Sequence, residues 1–458
     1  MSDVRGASQA SLGCPHVATT LASGLRLVAV PRGELRRAHL AVFVRIGSRF
    51  EQRRDNGLSH FLEHMLFRGT SELQNAHALN AAFERLGASL EACTHVDYAV
   101  FELDLPSENF SAAARLLGHV LSQPLFPSIA IEQRIVSEEI LEDLDDRGRQ
   151  VNADNLVRAL AFQGHPLGMT ITGTRRDVAR FTVPDLRRHH ARHFGGPSLV
   201  VAATGALGNI DALDVLAESF ANFSSAPAVD VAPPNVQTAP ITKHVRDAAS
   251  QTSLRISFRA FGEHDERMPA LEVLTRIIDD GMSTRLYRRL CDEGGLCYDV
   301  SGSYEVFEDD GVVDFAASVR HDMAAPVVES ILEMVRELAA TGPTSNEVSM
   351  AIQRHRWDVE SSLDSAAALA HAVGVSWLFG HLRGLDEQRG RLDNVTAAAV
   401  QELARFLACP TRLTVVTVGL PSAGERRRID ALAKGFRGPE PCAIFPAIIR
   451  MNTVHSAD

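Results

Sequence analysis

The chain repeats one plan. Residues 181–205, FTVPDLRRHHARHFGGPSLVVAATG, read as an amphipathic helix, a short turn and a buried strand ending in glycine. Residues 395–419, VTAAAVQELARFLACPTRLTVVTVG, read the same way, and the closing glycines Gly205 and Gly419 lie 214 positions apart. Upstream, residues 40–69 and 253–281 each run strand, charged loop, apolar helix, and Gly69 and Gly281 lie 212 apart. Matched offsets at both ends imply a tandem duplication of a domain of roughly two hundred residues. The stretch 224–240, SSAPAVDVAPPNVQTAP, has four prolines and little periodicity. It reads as an extended surface linker between domains 1–223 and 241–458.

Strand signals in the first half fall at 25–31, 40–47, 99–105 and 199–205, and helical signals at 57–68, 76–87, 111–122 and 129–145. Strands and helices cluster instead of alternating strictly, so an α+β fold is expected over a doubly wound parallel sheet. The net charge of -11 argues against a nucleic-acid or anionic-membrane surface. No run approaches the length of a membrane span. The opening MSDVRGASQASLGCPH lacks the apolar core of a Sec signal. Cys14, Cys93, Cys291, Cys297, Cys409 and Cys442 are scattered without a Cys-x-x-Cys pair. They read as reduced thiols, and the expected location is the bacterial cytoplasm. Lys243 and Lys434 are the only lysines. With heavy alanine use, that points to a GC-rich bacterial source and concerns codon use alone.

The chemistry concentrates in 57-GLSHFLEHMLFRGT-70. His60 and His64, at i and i+4, share one helix face and can grip one ion. Glu63 sits beside them and can act as a base toward a water that the metal acidifies. Two histidines and a glutamate among Phe61, Leu62, Met65, Leu66 and Phe67 would be costly without a compensating partner. A catalytic zinc needs a third protein ligand. In 129-IAIEQRIVSEEILEDLDD-146, Ile129, Val136, Ile140 and Leu144 form an apolar stripe with Glu132 and Glu139 on its edge, whereas Glu138 and Glu142 point away. Helix geometry therefore selects Glu139 as ligand, with Glu132 one repeat behind to orient a histidine.

These residues resemble the M16 family of zinc metallopeptidases, whose signature is the inverted His-x-x-Glu-His. In that family the third ligand lies in a segment like 132-EQRIVSEE-139, which again puts the ligand at Glu139 and the auxiliary carboxylate at Glu132. The resemblance runs nearly the whole chain and includes 166–194 and 281-GMSTRLYRRLCDEGGLCYDVSG-302. It implies two tandem homologous α/β-sandwich domains of the LuxS/MPP-like type, one zinc per chain and an endopeptidase acting on peptides or unfolded segments inside a chamber formed by paired chains. At the duplication offset, His60, Glu63 and His64 fall on Glu272, Thr275 and Arg276, so the second half carries no zinc set. The resemblance assigns Tyr298 to the scissile carbonyl. The family's Arg seven residues earlier is Cys291 here, and Arg288 or Arg289 is left to compensate. The family's Asn-Ala-x-Thr edge strand appears as 91-EACT-94, so Glu91, Ala92 and Cys93 are expected along the substrate backbone. Cys93 and Cys297 are expected as small packing residues. Pairing is expected with a second copy or with a non-catalytic homologue, as in the heterodimers that trim the pyrroloquinoline quinone precursor. A non-catalytic structural subunit is the remaining alternative, and the intact His60, Glu63, His64 and Glu139 set argues against it.

Overall fold

The computed structural model describes residues 16–208 and 210–439, and each half of the chain builds one mixed sheet. The first contains β1 (Val17–Thr20), β2 (Arg26–Pro31), β3 (Arg37–Val44), β4 (Glu91–Thr94), β5 (Ala99–Pro106) and β6 (Leu199–Gly205), in the order β1-β2-β6-β3-β5-β4. The second contains β7 (Ile241–Arg246), β8 (Thr252–Arg259), β9 (Asp299–Val306), β10 (Gly311–Val319) and β11 (Leu413–Gly419), in the order β7-β11-β8-β10-β9. Apart from the extra edge strand β1, order and direction correspond: β2–β6 and β7–β11 are parallel and the other pairs antiparallel. Register corresponds as well, since Val44 faces Leu199 and Phe258 faces Leu413. The duplication read from glycine spacing is thus present strand by strand.

The first-half helices expected from periodicity form at Leu58–Leu66 (α1), Ala76–Glu84 (α2), Phe110–Ser122 (α3) and Ile129–Leu141 (α4). α4 stops four residues earlier than its pattern. Beyond it, Asp145 accepts backbone N–H from Arg147 and Arg149, and Asp143 accepts from Asn152 and Asn155 side chains. Short carboxylates that bond locally compete with helix propagation. The segment 224–240 runs without helix or strand and is tied down along its length: Ala232 O, Val229 O and Asn235 O accept from His165, Arg45 and Arg259.

All seven residues of β6 and of β11 are buried. A strand apolar on both faces needs cover on both. On one face each sheet packs its own helices. On the other, the two halves exchange elements. The helix Ala366–Leu378, from the second half, lays Leu369, Ala370 and Val373 on Val28, Phe43, Val200 and Ala202 of the first sheet. The helix Ala153–Ala161 (α5), from the first half, lays Ala153 and Val157 on Val416 and Val418 of the second. Asp154 of α5 pairs with Arg255 at 2.9 Å, and Ala161 O accepts from Arg259 at 2.7 Å. Reciprocally, Glu102 of β5 bonds His371 at 2.8 Å.

The cysteine reading is corrected in one respect. Cys409 is disulfide-bonded, whereas Cys93, Cys291 and Cys297 are free thiols. Cys14 and Cys442 lie outside the described residues. Sequence spacing carries no information on which thiols the fold brings together, and the thiol argument for a reducing compartment falls with it. Cys93 is exposed on β4 and fills no gap in the core. Among the described residues no helix is long and apolar enough to cross a membrane.

Candidate metal centre

α1 starts at Gly57, whose φ of +92° lies in the left-handed region. A Cβ there would sit 2.5 Å from Thr172 O, so glycine alone fits. No side chain of the adjoining residues caps the helix. The carboxylate of Glu51 does it from a distance, accepting from Gly57 N at 2.8 Å, Ser59 N at 2.7 Å and the Asn56 amide at 3.2 Å. A carboxylate suits the positive end of a helix, although complete burial raises the Glu51 pKa against the pull of these donors. The helix presents its apolar side to the first core and turns His60, Glu63 and His64 toward α4 and β4.

One nitrogen from each of His60 and His64 and one oxygen of Glu139 all lie within 4.8 Å of one another. His60 Nε2 is 3.3 Å and His64 Nε2 is 3.6 Å from the Glu139 carboxylate. His64 Nδ1 bonds Glu132 at 2.9 Å, which leaves Nε2 turned toward Glu139. Glu132, buried on the edge of α4, also holds Arg68. His60 Nδ1 is buried without a hydrogen-bond partner, so packing and the Nε2 contact with Glu139 set that ring. The donor set of two imidazoles and a carboxylate fits zinc. The hydrogen bond from His60 holds Glu139 below the usual carboxylate range. Burial opposes the charge on Glu132, but His64 and Arg68 outweigh it and lower its pKa. Burial likewise opposes the charge on His64, and Glu132, Glu63 and Glu139 together reverse that and raise it. Glu138 and Glu142 are exposed.

Glu63 is separate from this group. Its Oε2 accepts from Thr94 Oγ1 at 2.6 Å, across from β4. β4 ends the sheet order, so among the described residues its outer edge has no partner strand. Ala92 packs toward the core that holds α1, whereas Glu91 lines a cleft of ≈530 Å³ on the opposite face with Glu84, Glu102 and Asp104. Tyr298 precedes β9, is 94% exposed, and has no hydrogen bond or ring contact with the metal group among the described residues. Arg289 is committed to Glu333, Glu337 and Ser330, and Arg288 lies 3.7 Å from Glu293. In the second half, Glu272 pairs with Arg391, Arg276 with Asp280 and Asp358, and Thr275 bonds Leu271 O.

Residues 27–175 match the model of insulinase, peptidase family M16, and residues 180–354 match the peptidase M16 inactive domain. An uncharacterised zinc protease of Mycobacterium leprae is 30% identical over 400 residues, covering 85% of this chain and 88% of its own. The chain belongs to peptidase family M16. A second uncharacterised zinc protease, of Bacillus subtilis, is 27% identical over 391 residues, covering 85% of this chain and 94% of its own. A protease structure from Helicobacter pylori shares the M16 fold with a TM-score of 0.80 at 19% identity, covering 89% of this chain and all of the other.

Three residues of the centre were not among those read from the sequence. Glu51 and Thr94 reach the M16 motif residues only through tertiary structure. For Arg68 there was a local signal, since it follows His64 by four positions on the same face.

Proposed function

We propose that the chain is a zinc endopeptidase acting on peptides or unfolded polypeptide segments, with one zinc per chain. The observation that carries this reading is the convergence of His60, His64 and Glu139, with Glu63 held beside them by Thr94 instead of joining them. Two imidazoles and a carboxylate leave a fourth position open for a reactant. When bound, zinc supplies a Lewis acid that polarises the scissile carbonyl and acidifies the attacking water. Glu63 takes a proton from that water and delivers one to the leaving amine. Thr94 occupies Oε2 and leaves Oε1 to carry the proton. Glu132 keeps the His64 ring turned so that Nε2 is presented. Substrate adds as a strand on the open edge of β4, where the backbone of Glu91, Ala92 and Cys93 supplies the pairing. Tyr298 donates its phenol O–H to the developing oxyanion. Arg288, the less engaged of the two arginines, is available for substrate. Paired chains enclose the site.

The test is Glu63→Gln assayed at full zinc occupancy. Cleavage of an unstructured peptide should fall by roughly 10²–10⁴ while zinc content is unchanged. Undiminished cleavage at full occupancy would falsify the assignment. A second reading is a catalytic subunit completed by a homologous partner. The commitment of Arg289 to two glutamates and the lack of contact between Tyr298 and the metal group favour it. Activity of the purified chain alone distinguishes the two.

A further inference from the structure

The segment that carries Tyr298 holds two thiols to which the peptidase reading gives no role. Cys291 Sγ and Cys297 Sγ lie 3.9 Å apart, and both are free. Cys291 is the last residue but one of the irregular π-helical turn Arg288–Asp292, and Cys297 adjoins Tyr298 in the chain. Between them, residues 292–295 are exposed, and Gly295 has a φ of +56° with open space around its Cβ position. Cys291 also points its thiol at Tyr298 O, 3.9 Å away. A disulfide needs the sulfurs at about 2.05 Å, so closure asks for a movement of about 2 Å in a surface turn containing two glycines.

We propose that Cys291 and Cys297 form a reversible disulfide with a low-molecular-weight disulfide as oxidant, and that this bond moves Tyr298 and lowers peptidase activity. The functional half of this inference rests on the zinc-peptidase reading, and the thiol half does not. The chemistry balances as two exchanges. The Cys291 thiolate attacks one sulfur of the oxidant, the S–S bond breaks and one thiolate leaves. The Cys297 thiolate then attacks Cys291 Sγ in the mixed disulfide and expels the second. Two protein thiols are oxidised, the oxidant is reduced to two thiols, and two protons pass to solvent or to the departing thiolates. Burial pushes the Cys297 thiol up to about 12 and raises Cys291 by less, which makes Cys291 the first nucleophile and exchange faster in mild alkali. Closure replaces the contact between Cys291 and Tyr298 O and draws Cys297 toward the turn. Tyr298, 94% exposed, has little packing to resist the shift.

The zinc-loaded full chain is equilibrated with oxidised glutathione at pH 8, digested without reduction, and mapped by mass spectrometry. Peptide cleavage is followed on the same sample. A Cys291–Cys297 cross-linked peptide is expected, with kcat lower by roughly a hundred- to a thousandfold, the loss that removal of an oxyanion donor brings. Dithiothreitol should restore kcat. Cys291→Ser and Cys297→Ser, checked for native thermal melts, should cleave normally and ignore glutathione disulfide. Tyr298→Phe should lose nothing further on oxidation. Absence of the cross-linked peptide overturns the proposal, as does a cross-link that leaves kcat unchanged. If neither redox state cleaves at full zinc occupancy, the reading of a chain active by itself is what fails, and the map still decides the thiol pair.

Discussion

Glu132 divides its two oxygens between His64 and Arg68, and it is buried while doing so. Its role is to fix which imidazole nitrogen carries hydrogen. Glu132→Gln keeps the volume and weakens that hold. Zinc affinity should fall by roughly 10–100-fold, as for other partners of ligating histidines, measured by competition with a chromophoric chelator. Thr94→Val leaves every metal ligand in place and frees the Glu63 carboxylate. Its zinc affinity should stay at the wild-type value while kcat drops by about a hundredfold, the lower end expected for a misplaced base. Equal losses in both quantities would instead mean that β4 supports the whole site. Helix periodicity alone separated Glu139 from Glu138 and Glu142 at this scale, because one-face geometry is local. The capping carboxylate of Glu51 left no comparable trace, since its bonds to Gly57 and Ser59 depend on a fold that returns the loop to the helix start.

Among elements, the strands LVVAATG and LTVVTVG announced burial by apolar runs that only threonines interrupt. What covers them was not legible. The helix Ala366–Leu378 is apolar nearly all round, a pattern that signals burial without naming a neighbour. The contact itself depends on Gly374, where a Cβ would lie 2.1 Å from Cε2 of Phe43, a ring with no exposure. Gly374→Ala gains about 0.8–1 kcal/mol of helix propensity and forces overpacking that costs about 1–3 kcal/mol. A net loss of up to about 2 kcal/mol is expected in urea unfolding, and Phe43→Leu in the same chain should recover most of it. Turn chemistry accounts for the early end of α4: the pattern of apolar residues continued to Leu144, but Asp143 and Asp145 had closer partners.

Across the whole molecule, the turn between β9 and β10 docks on the first half through Glu308 with Arg45 and Asp309 with Arg49, the latter at 2.8 Å. Asp97 lies beside this junction with Oδ2 buried and unpartnered. Burial pushes its pKa to about 7, against the pull of Arg49. The folded chain therefore keeps a proton there that the unfolded chain gives up near pH 4. The resulting stability is complete below that point and is lost as pH rises toward 7. Asp97→Asn should match the wild type at pH 3.5, below the unfolded-state pKa, and exceed it at pH 8.5 by up to a few kcal/mol, seen as a higher melting temperature. An equal difference at both pH values would mean that the residue acts through packing alone.

The exchange of α5 and the helix Ala366–Leu378 also bears on why a second half without metal ligands persists in the chain. Each half holds the lid of the other's sheet. Deleting the half that lacks the chemistry would strip Val28, Phe43 and Val200 of their cover. The duplication is in that sense irreversible: once the copies traded helices, neither could be discarded, whatever became of its catalytic residues.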